Sequence, residues 1–351
     1  MNAKELVQKT LSGKSTEIPV TIHGWGLYKF WLAGIVTGYE DEENAWSLSG
    51  AELADAEAGL YERFHPDTLH LGAGRSKFAD EKREAYIRAL GAEVKKLDSK
   101  SVIDEYITAV YQSESDVLES GIYSHVELLS RRYGDEVFIT LNDGNPISGI
   151  LDPHGLLGFE DGLVSLLTNG DMVAYLLYQL YDVLLERMKA LKKSGADAYI
   201  GSETYCSADM ISPRIYRDVV WPAQRHFYTG LREIELGSFC YFLGDLLPML
   251  PDIKNLGIDA LLIEARNKAV EIDVAEVYRQ AEGAFTLYGN LNSIDILQLG
   301  SIADVERETR RQMTACSGGR FIMANDCPVS FGTPEENIDA MIRAAKTAGK
   351  R

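Results

Sequence analysis

Short apolar runs recur along the whole chain, and most are followed by a stretch whose apolar positions lie three or four apart. The runs fall at 18–22, 68–71, 137–141, 198–202, 239–243, 260–263, 285–288 and 321–324. Runs of this length bounded by turn residues read as buried strands. Helical spacing fills much of the chain between them, at 4–11, 51–64, 116–133, 155–167, 172–191 and 302–316. A further helix enters at Ser212-Pro213 and runs through Tyr216, Val219, Val220 and His226. The 172–191 stretch carries the clearest core-facing stripe, with Leu176, Leu177, Leu180, Val183, Leu184 and Met188. After the last run, Gly332-Thr333-Pro334 signals a helix start, with Thr333 as N-cap and Pro334 as first helical residue. Residues 28–49 mix aromatics, glycines and acids without a period, so 24–60 is expected to hold a lid or insertion. The charged stretch 77–99 reads as a solvated helix or hairpin.

Alternating strand and helix implies parallel pairing through right-handed crossovers. Eight such units predict an α/β fold, a (β/α)8 TIM barrel, with an N-terminal helical or irregular extension and one domain over residues 1–351. No Gly-x-Gly-x-x-Gly follows the first strand, which counts against a dinucleotide-binding sheet. Barrel active sites lie at the C-terminal ends of the strands. The residues there are His23, Asn142, Glu203, Asp245, Glu264, Asn290, Asp326 and Cys327. Acids, amides, an imidazole and a thiol at one mouth suit acid–base or metal chemistry, although any one of them can equally be a loop cap.

Charge narrows the partners. With 35 Lys and Arg against 53 Asp and Glu, the net charge is -18. That disfavours nucleic acid and anionic membrane surfaces, both of which need a basic face. No apolar run has transmembrane length, and the first fifteen residues lack a signal-peptide core. Cys206, Cys240, Cys316 and Cys327 lack the paired spacing of a disulfide scaffold or zinc ribbon, so a reducing cytoplasm is expected.

Four segments in the second half carry a family resemblance. They are Gly195-Ala196-Asp197, Met210-Ile211-Ser212-Pro213, Tyr288-Gly289-Asn290-Leu291 and Gly332-Thr333-Pro334-Glu335-Glu336-Asn337. In order and spacing, over roughly residues 155 to 349, they resemble the uroporphyrinogen decarboxylase superfamily, which holds decarboxylases and corrinoid-dependent methyltransferases. The arginine-rich N-terminal loop of the decarboxylases has no counterpart here, since the first arginine is Arg63. The chain looks more like the methyltransferase branch. That resemblance implies methyl transfer between a small methylated substrate, such as a methoxylated aromatic or a methylamine-like compound, and cobalamin carried by a partner corrinoid protein.

Zinc-dependent members of that branch end one strand in His-x-Cys-Gly and the last strand in a cysteine, with an acid between. Here Cys327 falls at the last cysteine and Glu264 near the acid, so the resemblance implies these two as metal ligands. The His-x-Cys-Gly position instead reads Tyr241-Phe242-Leu243-Gly244, and Cys240 is one residue out of register, which on a strand turns it to the opposite face. Either zinc is held by another set, such as Glu264 and Cys327 with Glu203 or His23, or acid–base groups replace it. The expected catalytic residues are Glu203, Glu264, Asn290 and Asp326. The expected substrate contacts are His23, Trp25, Tyr241 and Asp245, with Trp25, Tyr28, Phe30, Trp31 and Trp46 available to cover a substrate or simply to pack. Two alternatives stand beside methyl transfer. One is a decarboxylase gripping carboxylates through Arg75, Arg214 or Arg266, and the other is a non-catalytic barrel that binds a corrinoid protein.

Overall fold

A computed structural model describes residues 1–76, 80–267 and 270–348. Lys77, at the edge of the charged stretch, and the Trp46 side chain lie outside the described part. Parallel strands run in the order β1 (Thr68–Gly72), β2 (Phe138–Asn142), β3 (Ala198–Glu203), β4 (Gly237–Phe242), β5 (Ala260–Ile263), β8 (Thr286–Tyr288) and β9 (Phe321–Ile322). Between β5 and β8 lies a small antiparallel ladder, β6 (Arg266–Asn267) with β7 (Val270–Glu271), that the apolar pattern did not announce.

The segment at 18–22 closes the ring. Val20 bridges Met323 in parallel, and the Thr21 and Met323 amides donate to Met323 and Pro19 carbonyls at 2.8 Å each. On its other side, Asp67 stands in for a strand neighbour. Its amide donates to the Val20 carbonyl, and its carboxylate accepts from the Val20 amide, both at 2.7 Å. The eight expected strands therefore form a (β/α)8 barrel.

Strand parity divides the core in two. Phe138, Ala198, Ile200, Phe239, Tyr241, Ala260, Leu262, Tyr288, Ile322 and Ala324 fill the barrel interior. Their neighbours Ile139, Tyr199, Cys240, Leu261, Leu287 and Phe321 face the helices. Cys240 thus lies outside the barrel, as its register predicted. Val7, on the helix Ala3–Leu11, packs into the interior cluster and closes the barrel bottom.

Several boundaries differ from the pattern. The 155–167 stretch is helical only from Phe159, in Phe159–Thr168, and a further short helix, Pro146–Leu151, precedes it. The 116–133 stretch breaks at Gly121, whose φ of 72° suits glycine, into Glu114–Ser120 and Ser124–Tyr133. Residues 24–60 include the helices Tyr28–Leu32 and Gly50–Phe64 and carry their own small core of Phe30, Val36, Ala45, Leu53 and Ala56. That core packs beside the last strand, where Phe331 lies 5.7 Å from Trp31 and 5.6 Å from Tyr39, ring to ring. The final helix spans Glu335–Ala348. The Thr333 hydroxyl, expected as its N-cap, donates instead to the Ser330 carbonyl and tightens the preceding turn. Among the described residues, no helix is long and apolar enough to cross a membrane.

Candidate functional site

The strand ends assemble a mouth with an acidic, thiol-bearing side and an imidazole side. On the first, Tyr241 rises from the interior face of β4. Its buried hydroxyl lies 3.0 Å from the Asp326 carbonyl and 3.3 Å from Glu264 Oε1. Burial and the neighbouring Glu264 carboxylate raise the phenol well above its ordinary pKa, so it is a protonated donor at neutral pH. Cys327 is half-buried beside this pair. Burial, followed by the Asp326 carboxylate, pushes its thiol up to about 12.

Asp326 and Asn290 act as brackets. Asp326 Oδ1 accepts from the Ser293 amide at 2.9 Å and Oδ2 from the Ala265 amide at 3.1 Å. The loops after β5 and β8 are thereby tied to the end of β9. Asn290 Nδ2 donates to the Ile272 carbonyl at 2.9 Å, and its own amide donates to Gln312 Oε1 at 3.4 Å. Both side chains are buried; the Asp326 carboxylate and Asn290 Nδ2 are engaged by backbone groups.

On the imidazole side, His23 lies 4.7 Å from His70, 5.6 Å from Tyr241 and 5.4 Å from Tyr288, ring centroid to centroid. Trp25 approaches His70 at 6.5 Å. His23 Nδ1, both ring nitrogens of His70 and Trp25 Nε1 are buried with no hydrogen-bond partner among the described residues. Burial lowers His23 to about 3 and carries His70 in the same direction, so both rings are neutral at physiological pH. His70 was missed from sequence because it sits inside an apolar run. The alternation Thr68, His70, Gly72 was the available signal that it faces inward.

The position expected of Glu203 needs correction. Glu203 ends β3, but its parity turns it away from the mouth into the helix layer. There it is fully buried and accepts from Asn145 Nδ2 at 2.8 Å, Tyr228 at 3.1 Å, Gln224 Nε2 at 2.6 Å and the Cys206 thiol at 3.6 Å. Burial outweighs these donors and raises its carboxyl to about 7. Ser202, one residue earlier, takes the inward position and accepts from Asn142 Nδ2 at 2.7 Å. Asp245 lies on the rim, where its carbonyl accepts from the Ala208 amide at 2.8 Å and its amide donates to Asp209 at 3.0 Å. Arg75, Arg214 and Arg266 are all exposed.

The zinc expectation fails on the donors. At the β4 end a phenol and Leu243 stand where an imidazole and a thiol were needed. Among the described residues Cys327 and Glu264 gather no third ligand: Glu203 is turned outward, and His23 does not join them in a group that could hold a metal ion. Among the described residues, no group of three or more His, Cys, Asp or Glu side chains could hold a metal ion. The site residues do not fit zinc.

Fold and mouth define a (β/α)8 barrel with a polar, strand-end site. A family model described as uroporphyrinogen decarboxylase (URO-D) matches residues 87–348, and the chain belongs to that family. One curated relative, a methylated-thiol–coenzyme M methyltransferase of Methanosarcina mazei, is 32% identical over 155 residues, covering 43% of this chain and 38% of the relative. A methylcobamide:CoM methyltransferase MtaA of Methanosarcina barkeri is 26% identical over 155 residues, covering 44% of this chain and 43% of the relative. The chain thus spans about two fifths of the length of the curated relatives it matches. A solved structure titled as a methyltransferase from Methanosarcina mazei superposes with a TM-score of 0.76 at 15% identity, covering 99% of both chains, which confirms the barrel.

Proposed function

We propose that this protein is a corrinoid-dependent methyltransferase, moving a methyl group between a small methylated substrate and the cobalamin of a partner corrinoid protein. The observation that carries the proposal is the convergence of Tyr241, Glu264 and Cys327 at the barrel mouth. Its family and the names of its relatives support the reaction class.

The corrinoid, carried by the partner, supplies the methyl acceptor or donor. What this chain supplies is control of the other half of the transfer. When a methyl group leaves an ether oxygen or an amine nitrogen, that atom gains an electron pair and takes up a proton. The Tyr241 phenol, hydrogen-bonded to Glu264, is a donor held in low dielectric where that charge develops. Asp326 and Asn290 hold the loops that carry Glu264 and Cys327. The inward side chains His23, His70 and Tyr288, with Trp25, pack ring to ring beneath the mouth. The decarboxylase reading is the weaker one: Arg75, Arg214 and Arg266 are exposed, and Arg266 lies 4.0 Å from the Asp295 carboxylate.

The test is methyl transfer to cob(I)alamin, followed by absorbance, with methoxylated aromatics and methylamines offered in turn. Transfer from a methyl ether, lost in Tyr241→Phe and Glu264→Gln with folding intact, is the expected result. No transfer from any donor, with free cobalamin or with a corrinoid protein, would refute the proposal.

A further inference from the structure

Beside the mouth, at the ends of β3 and β4, lies a cleft of about 300 Å³ lined by Pro153, Phe159, Tyr205, Ser207, Met210 and Leu243, among others. Leu243 follows Tyr241 by two residues, so the cleft adjoins the reactive side of the mouth along one strand. Its walls are mainly apolar, with Phe159 and Tyr205 rings 5.9 Å apart. Ser207 is 1% exposed, and its hydroxyl finds no hydrogen-bond partner among the described residues. A desolvated hydroxyl with no partner is destabilising, and a ligand oxygen would satisfy it. Gly244 keeps this corner open. Its φ is 86°, and a Cβ there would come within 2.5 Å of Ser207 Oγ and of Asp209 Oδ1. The described lining residues include the Asp209 carboxylate and no lysine, arginine or histidine.

We infer that this cleft binds an uncharged aromatic ring carrying one oxygen substituent, a phenol or an aryl ether, with Ser207 hydrogen-bonded to that oxygen. Phe159 and Tyr205, packed on each other, form one wall beside the ring. The Asp209 carboxylate, with no basic side chain among the described lining residues, disfavours an aromatic carboxylate. Assigning the ring to a methyl-transfer substrate rests on the function proposed above, whereas the binding itself involves no corrinoid.

The experiment is isothermal titration calorimetry of the full chain with phenol, methoxybenzene and benzoate, repeated on Ser207→Ala and Tyr205→Ala. Phenol or methoxybenzene is expected to bind; binding of methoxybenzene shows Ser207 donating, because an ether oxygen only accepts, whereas a phenol can do either. Ser207→Ala should weaken that binding roughly fivefold to tenfold, the share of one hydrogen bond. Its thermal midpoint should hold or rise, because the orphaned hydroxyl is gone. Tyr205→Ala should weaken binding through the lost wall. Benzoate should bind at least about tenfold more weakly than phenol, for want of a cationic partner. Benzoate matching phenol, an affinity indifferent to Ser207→Ala, or no binding of either neutral ring would each overturn the inference. Ring binding without methyl transfer would instead count against the proposed reaction alone.

Discussion

His23 meets His70 edge-on inside the barrel, ring centroids 4.7 Å apart, and neither imidazole is protonated at neutral pH. With His125, lowered to about 4 mainly by burial, they form a set of rings that fold only in the neutral state. Their folded pKa values lie below the ordinary 6.5, so the unfolded chain takes up protons first as pH falls. Stability is therefore lost from about pH 6.5 downward, by up to ~1.4 kcal/mol per pH unit for each ring. Urea unfolding at pH 4.5 to 7.5 should show this slope, and His70→Phe should lower it by about one proton. An unchanged slope would mean that His70 is not a neutral buried ring.

Glu203 has the opposite sign. Its folded pKa, about 7, lies above the ordinary 4.5. Its contribution is complete below about pH 4.5 and is lost as pH rises through 7. Glu203→Gln keeps the shape and removes the titration. The difference in stability between variant and parent should shift toward the variant from pH 5 to pH 8, by up to about 3 kcal/mol. Methyl transfer should persist in the variant, since the side chain faces the helices. A kcat loss of a hundredfold without unfolding would show that Glu203 reaches the reaction.

Lys29 and Glu57 form a buried pair at 2.7 Å, with side chains 2% and 1% exposed. The Lys29 ammonium also donates to the Gly24 carbonyl at 3.1 Å, next to His23. Removing one partner strands a charge, so Lys29→Met should cost about 3–5 kcal/mol, while Lys29→Met with Glu57→Leu should recover most of it. The double variant proving no more stable than the single one would point to a role for Lys29 beyond the pair.

The cysteines separate by place. Cys316, buried at the end of the helix Ile302–Ala315, should lose about 1 kcal/mol of stability as Cys316→Ala, with unchanged turnover. Cys327→Ala should leave folding intact and depress turnover by an order of magnitude or more. Measuring both variants side by side tests the assignment, and the reverse pattern would mean that the wrong thiol was placed at the mouth.

Much of this molecule is legible along the chain. Eight apolar runs, each short enough to be a buried strand, marked the barrel, and the residues following them marked its mouth. With Tyr241 set at the site by the family resemblance, strand periodicity put Cys240 on the opposite face, because side chains on a strand alternate. What local pattern could not decide was where each strand's alternation ends. One residue separates inward Ser202 from outward Glu203, and that step moves a carboxylate from the mouth to the helix layer. Nor could it show which polar groups satisfy one another. Asp326 and Asn290 are occupied by amides and carbonyls from other loops, whereas His23, His70 and Ser207 keep buried polar atoms without a partner among the described residues. Periodicity arises from the geometry of one strand and can be read from that strand. Hydrogen-bond satisfaction depends on which loops the closed barrel brings within about 3 Å of each other, and that is settled only when all eight strands are in place.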